Sequence, residues 1–234
     1  MAYFRCGNEN KNSEPESISL LHFEDDFVNR QITDAKGVVY TVDSSREPTI
    51  TSNTFKFGAH SLEFNEHAWV DSEILPNQLN FQDGDFSIDL WVKVRTTARI
   101  CPISLPWAGV LLDISNFRAR MWMLNENGQL VVHADNSSGG GQGKIVIANN
   151  TWTHLALIRE GDILGLFVNG ILDVYKNVGN TKLQYDAEKA HIRLGCWDMD
   201  DYYTYSGYLD EVRITNKAIW QIIKREVPTE PYKK

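Results

Sequence analysis

The stretch Phe86-Ser87-Ile88-Asp89-Leu90-Trp91-Val92-Lys93-Val94 decides the fold. Phe86, Ile88, Leu90, Val92 and Val94 fall on one side of an extended chain, and Ser87, Asp89, Trp91 and Lys93 on the other, which is the two-residue period of a strand. One of these faces is expected to go inward. On either side of the stretch, apolar residues recur in short runs of strand length: Leu20 to Phe23, Val38 to Val42, Leu62 to Phe64, Trp152 to Arg159, Ile163 to Val168 and Tyr208 to Ile214. Turn chemistry separates them. Asn127-Gly128, Glu160-Gly161-Asp162 and Asn169-Gly170 read as hairpin turns, because Asn-Gly tolerates the positive φ that a type I′ turn requires. Only Asn216 to Arg225 shows apolar spacing compatible with a short helix.

The chain has 234 residues, 42% of them hydrophobic, with seven Trp, nine Tyr and ten Phe. That aromatic load suits pleated, half-buried surfaces. Many short strands without intervening helices point to an all-β, two-sheet antiparallel β-sandwich of jelly-roll type. Residues 1–17 are polar and read as an N-terminal tail, residues 18–223 as the sandwich domain and residues 224–234 as a C-terminal tail. No apolar stretch reaches the roughly 18 residues of a membrane span, and the N-terminal segment lacks the apolar region of a signal peptide. With 23 basic against 31 acidic residues, a net charge of −8 and no basic cluster, the chain lacks the footprint of a nucleic-acid partner. Cys6, Cys101 and Cys196 are odd in number and far apart, which fits free thiols and offers no zinc spacing.

Several blocks, in order, resemble the laminin-G-like members of the concanavalin A-like lectin/glucanase superfamily, in the form found on bacterial and bacteriophage surfaces. They are Leu20-Leu21-His22-Phe23-Glu24, Phe57-Gly58-Ala59-His60-Ser61-Leu62-Glu63-Phe64, Asp85 to Lys93, Trp152-Thr153-His154-Leu155-Ala156-Leu157, Leu166-Phe167-Val168-Asn169-Gly170 and Tyr208-Leu209-Asp210-Glu211-Val212-Arg213-Ile214. The resemblance implies a jelly roll that hosts glycan binding, protein binding or hydrolysis. It also implies a structural calcium between the first and last strands, which would use Glu24 and Asp210.

The chemistry narrows these options. The paired-carboxylate string of the superfamily's hydrolases, Glu-x-Asp-x-Glu or a one-residue variant, is absent, and Asp210 and Glu211 would face opposite ways in a regular strand. The Gly-rich run Ser138 to Lys144 fails the phosphate-loop pattern at both ends and reads as a loop. Asp198, Asp200 and Asp201 are a second candidate set of calcium ligands. Sugar binding calls for aromatic faces beside planar polar groups. Trp197, Tyr202, Tyr203, Tyr205, Trp107 and Trp122 are the candidate platforms, with Trp69 beside them and Asn136, Arg118 and Arg120 as polar partners. Trp197 and the tyrosines, set among aspartates, are expected to be exposed, whereas Trp91 and Trp152 are expected to pack.

The expected function is a non-catalytic module that recognises a glycan or cell-surface polysaccharide. Its expected setting is a virion surface or the cytoplasm of the producing cell, where it would attach a phage or prophage particle to its host. The alternatives are a structural virion decoration or tail protein that contacts other virion proteins, and a diverged glycoside hydrolase; self-association into a homo-oligomer is left open.

Overall fold

The computed structural model describes residues 16–95, 100–115, 118–124, 130–133, 143–197, 204–219 and 227–233. Among the described residues there is no helix, and the strands form two antiparallel sheets. Strands are numbered in chain order. Sheet I runs β14 (Ile171–Asn177), β13 (Ile163–Val168), β12 (Trp152–Glu160), β7 (Phe86–Val94), β16 (Gly207–Thr215), β5 (Ser61–Phe64) and β4 (Thr49–Thr51), and β1 (Ser17–Leu21) also pairs with β16. Sheet II runs β11 (Leu130–His133), β10 (Arg118–Leu124), β9 (Val110–Ser115), β8 (Ile100–Leu105), β15 (Arg193–Leu194), β6 (Val70–Ser72), β3 (Val39–Val42) and β2 (Gln31–Thr33).

The sheets face each other through cross-strand rows of apolar side chains. Sheet I contributes Leu62, Leu209, Val92 and Thr153 in one row and Ile214, Ile88, Leu157 and Leu166 in another. Sheet II contributes Val42, Val70, Leu194, Ile103, Leu112 and Met121. All of them are buried, and each aliphatic side chain so removed from water stabilises the fold by about 1.5–3 kcal/mol. The turns match their chemistry. Val168 pairs with Ile171 across Asn169 and Gly170, whose φ angles are 48° and 75°, both positive as a type I′ turn demands.

Strand β7 differs from the expectation of one inward face. From Phe86 to Val92 both faces are buried. On the outer face, Phe57 meets Trp91 edge-on at 5.8 Å and Tyr232 seats its hydroxyl 3.1 Å from His154 Nε2. Ser87 is held by the Lys217 carbonyl and the Ile219 amide. The segment expected to be a tail therefore contributes cover: Tyr232 is buried, donates its backbone N–H to Glu211 at 2.7 Å and lies under the Arg213 guanidinium at 3.9 Å. Residues 216–219 are not helical, and 220–226 lie outside the described residues.

The closing strand is also irregular. Asp210 pairs with Trp91 and Arg213 with Asp89, so three steps on β16 match two on β7, and Glu211 takes a φ of 49°. This bulge breaks the alternation expected for Asp210 and Glu211.

Replacing Tyr232 by Ala removes a buried ring, its hydroxyl's hydrogen bond with His154 and its contact with the Arg213 guanidinium, and is expected to cost about 3 kcal/mol in urea unfolding. Tyr175→Ala, at a site 55% exposed on β14, is expected to stay within about 0.5 kcal/mol of the parent.

Candidate functional site

Of the residues expected to bind a ligand, Trp107, Trp122 and Trp197 fall in or next to strands of sheet II. Register places Gln31, Thr41, Asp71, Arg193 and Ser104 in one cross-strand row, which continues through positions 111, 122 and 133. Trp122 therefore falls in line with Asp71 and Arg193. Arg193 donates from Nε and Nη2 to the two oxygens of Asp71, each at 2.6 Å. Such a two-point pair fixes a planar polar surface, and it is stronger than a neutral hydrogen bond. His191 Nε2 lies 3.8 Å from the same carboxylate, and the Arg193 guanidinium lies 6.0 Å from the Trp69 ring.

Both ends of this strip carry tryptophan. The Ser104 hydroxyl is within 3.0 Å of the Cys196 carbonyl and 3.2 Å of the Trp197 carbonyl, which ties half-buried Trp197 to the row. Trp107 stands in the turn between β8 and β9 at a φ of 60° and is 44% exposed, with Lys189 Nζ 4.5 Å from its ring centre. Lys189, in a turn closed on the Asp186 carbonyl, meets Trp107, and His191 and Arg193, leading into β15, meet Asp71, with Trp69 also beside Arg193. The alternation Lys-Ala-His-Ile-Arg-Leu was legible in the sequence; the partner Asp71, far away in the chain, was not.

The other candidates separate. Tyr205 was expected to be exposed and is a core residue: it is fully buried, packs edge-on against Phe64 at 5.8 Å and donates to the Tyr208 carbonyl at 3.0 Å. Burial pushes its phenol well above the usual range. The residue turns inward because the strand that follows begins at Gly207, whose φ of 153° and close approach to the Tyr205 ring leave no room for a Cβ. Tyr202, Tyr203, Asn136, Asp198, Asp200 and Asp201 lie outside the described residues, and Trp122, Arg118 and Arg120 are placed by register alone.

Glu24 and Asp210 form a backbone clamp. Asp210 Oδ2 accepts from the Lys56 and Phe57 amides at 2.7 and 3.1 Å, and Glu24 accepts from the Ala59 amide at 3.0 Å. Gly58, between them, has a φ of 63° and presses so closely on Glu24 that any side chain there would displace it. Among the described residues, no three Asp, Glu, His or Cys side chains group closely enough to hold a metal, and the oxygens of Glu24 and Asp210 are turned to backbone amides. A cavity of about 380 Å³ opens beside Glu24, His22 and Glu211. Most of its polar groups are engaged: His22 Nδ1 contacts Glu211 at 2.7 Å, and Asp34 holds Ser19 and the amides of Leu20, Lys36 and Val38, while His22 Nε2 is buried without a hydrogen-bond partner.

Burial raises the Asp210 carboxyl from 3.8 to about 7, against the pull of the Phe57 and Lys56 amides and with a further push from Glu211. Its Oδ1 is buried without a hydrogen-bond partner, the oxygen that a proton occupies when the group is neutral. A carboxyl raised in the fold stabilises the folded state fully below its unfolded value, about pH 4, and that contribution is lost as the pH climbs through 7. Asp210→Asn keeps an acceptor for both amides and does not titrate. The stability of the parent relative to this variant is therefore expected to fall between about pH 4 and 7; urea unfolding across that range checks it, and a constant difference would contradict the assignment.

With the geometry in place, comparison with known proteins is informative. A family model described as the concanavalin A-like lectin/glucanases superfamily, laminin-G type, matches residues 67–221. No curated protein matches in sequence. Among solved structures, the chain is similar to the binding domain of botulinum neurotoxin serotype G, with 14% identity and a TM-score of 0.63 over 89% of this chain and 49% of that one. The binding domain of Paraclostridial mosquitocidal protein 1 shares 14% identity at a TM-score of 0.61, over 86% of this chain and 49% of that one. Domain 4 of AbnA, a GH43 extracellular arabinanase from Geobacillus stearothermophilus solved with arabinotriose, shares 18% identity at a TM-score of 0.60, over 88% of this chain and 95% of that one. The chain thus spans about half the length of the two toxin domains and nearly all of the arabinanase domain. At these identities the likeness is one of fold.

Proposed function

The chain belongs to the concanavalin A-like lectin/glucanases superfamily, and on that premise we propose that it is a non-catalytic module that binds glycan along the outer side of sheet II. The observation that carries the reading is the strip itself. An Asp71–Arg193 pair, locked at two points across β6 and β15, lies beside Trp69, 6.0 Å from the largely buried guanidinium, with Trp107 exposed in the turn between β8 and β9 and Trp197 half-buried just after β15. Aromatic faces take the apolar side of a sugar ring, while planar polar groups exchange hydrogen bonds with its hydroxyls, the mix found in ligand sites generally. Rigid placement reduces what binding loses to ordering.

The non-catalytic part of the reading draws support from the carboxylates. A retaining glycosidase sets two of them about 5–5.5 Å apart across the bond it cleaves. In the strip Asp71 is paired with Arg193, and on the opposite sheet Asp210 holds two amides. The arabinotriose bound to the arabinanase domain adds a sugar-binding precedent for this architecture. A place on a virion or bacterial surface, where such a module attaches a particle or a cell to polysaccharide, is the setting suggested by the sequence resemblance.

A second reading, contact with another protein, is favoured by one feature. Ile171, Leu172 and Tyr175 on the edge strand β14 are exposed, with Val146 also exposed next to Ile145, whose amide donates to Asp173 of β14. A glycan array separates the two readings. The parent chain is expected to bind at least one saccharide class, and Trp107→Ala and Trp197→Ala each to weaken that binding tenfold or more, about 1.4 kcal/mol. Binding to no saccharide, or binding untouched by both substitutions, would favour the protein-contact reading. In a reducing-end assay no polysaccharide is expected to be cleaved; turnover lost in Asp71→Asn would instead make the strip an active site.

A further inference from the structure

We infer that the outer face of sheet I carries a second saccharide platform, selective for sugars that bear a carboxylate and built on Trp152 and Tyr208 with Lys93 and Arg95. The inference rests on the reading of the domain as a glycan-binding module and extends it to a face that the sequence assigned to packing.

Register defines the platform. Thr49, Glu63, Tyr208, Lys93 and Trp152 are direct cross-strand neighbours from β4 to β12. The adjacent row, Leu62, Leu209, Val92 and Thr153, is buried against sheet II, so alternation turns the first row outward. Its exposure bears this out: Thr49 is exposed and the other four are half-buried. The next outer row, Asp210, Trp91 and His154, is closed over by the Phe57 loop and by Tyr232. The open part of the face is therefore the part that holds Trp152 and Tyr208.

The groups on it are arranged for a flat, anionic guest. The Trp152 and Tyr208 rings lie 6.5 Å apart at 55° to each other, with Lys93 between them in the row. The Arg95 guanidinium lies 4.4 Å from the Tyr208 ring centre and Lys93 Nζ 5.7 Å from it. Arg95 is fixed by Glu63, the Tyr208 hydroxyl and, at 3.1 Å, Asn65. Lys93 Nζ donates to Thr54 Oγ1 at 2.9 Å. Among the described residues, the two cations Lys93 and Arg95 have one carboxylate beside them on the patch, Glu63, which leaves a surplus positive charge there on a chain whose net charge is −8. That local reversal of sign is complementary to a carboxylate presented beside a sugar ring. Held on the central strands of the sheet, the platform needs no loop to order before it binds.

Oligogalacturonide and its methyl ester differ in charge and share the ring, which makes them the probes of choice. By isothermal titration of the full chain, the acid form is expected to occupy the platform. Trp152→Ala and Lys93→Met are each expected to weaken that site tenfold or more, and raising the salt from 50 to 500 mM should weaken it further. The methyl ester is expected to bind there at least tenfold less tightly. Trp107→Ala and Trp197→Ala should leave this site unchanged, because they lie on the other sheet. If Lys93→Met and Trp152→Ala bind the acid form as the parent does, or if the parent does not bind it at all, the platform is refuted. Saccharide binding that is lost in Trp107→Ala would meanwhile leave the sheet II reading standing. An array with no saccharide bound by the parent would remove both.

Discussion

Strand β7 is enclosed on both faces, and most of the molecule follows from how that is achieved. Its inner residues meet sheet II, as in any sandwich. Its outer residues include Asp89 and Trp91, which border on His154 and Arg213, and a charged group shut away from water needs partners. The Arg213 guanidinium lies 3.9 Å from the Asp89 carboxylate, His154 lies 3.6 Å from it, and Tyr232 caps both side chains. Burial, ahead of the nearby Arg213 and Lys56, holds His154 at about 3 and outweighs the pull of Asp89. A neutral imidazole is therefore built into the sheet. The bulge at Glu211 sets Arg213 over Asp89 and Asp210 over the amides of the Phe57 loop, so one irregular residue serves both ends of the cover.

The same enclosure divides the surface into closed and open parts. Where Phe57 and Tyr232 sit, sheet I offers nothing to a ligand. Towards Trp152 the cover ends and rings emerge. Sheet II keeps Gln31 and Thr41 exposed and Asp71 half-buried along one row of polar side chains. Binding surfaces arise here by omission of cover over rigid strands, and their side chains are aimed by the pleat.

The sequence was most informative where the causes are local. The alternation from Phe86 to Val94, the Asn169-Gly170 turn and the closing strand after Tyr208 all depend on neighbours a few residues away, and all appear in the structure. What escaped depends on distant partners. Nothing near Asp89 announces that Tyr232 will cover it, and nothing near Asp71 announces Arg193. Tyr205 looked exposed because aspartates precede it, yet its environment is set by Phe64 and by the crowding at Gly207. Trp152 was correctly placed in the sheet, but strand alternation alone does not say which part of an outer face stays open.

Tyr232 also bears on how the domain is made. Leu21 at the start of the fold pairs with Val212 near its end, and the outer face of β7 is closed only by a residue later still. On the ribosome, sheet I therefore stays incomplete while most of the chain is already out, leaving Asp89 and Trp91 open to water and the β16-facing edge of β7 unsatisfied. Pairings this remote in sequence fold slowly, and exposed strand edges invite association.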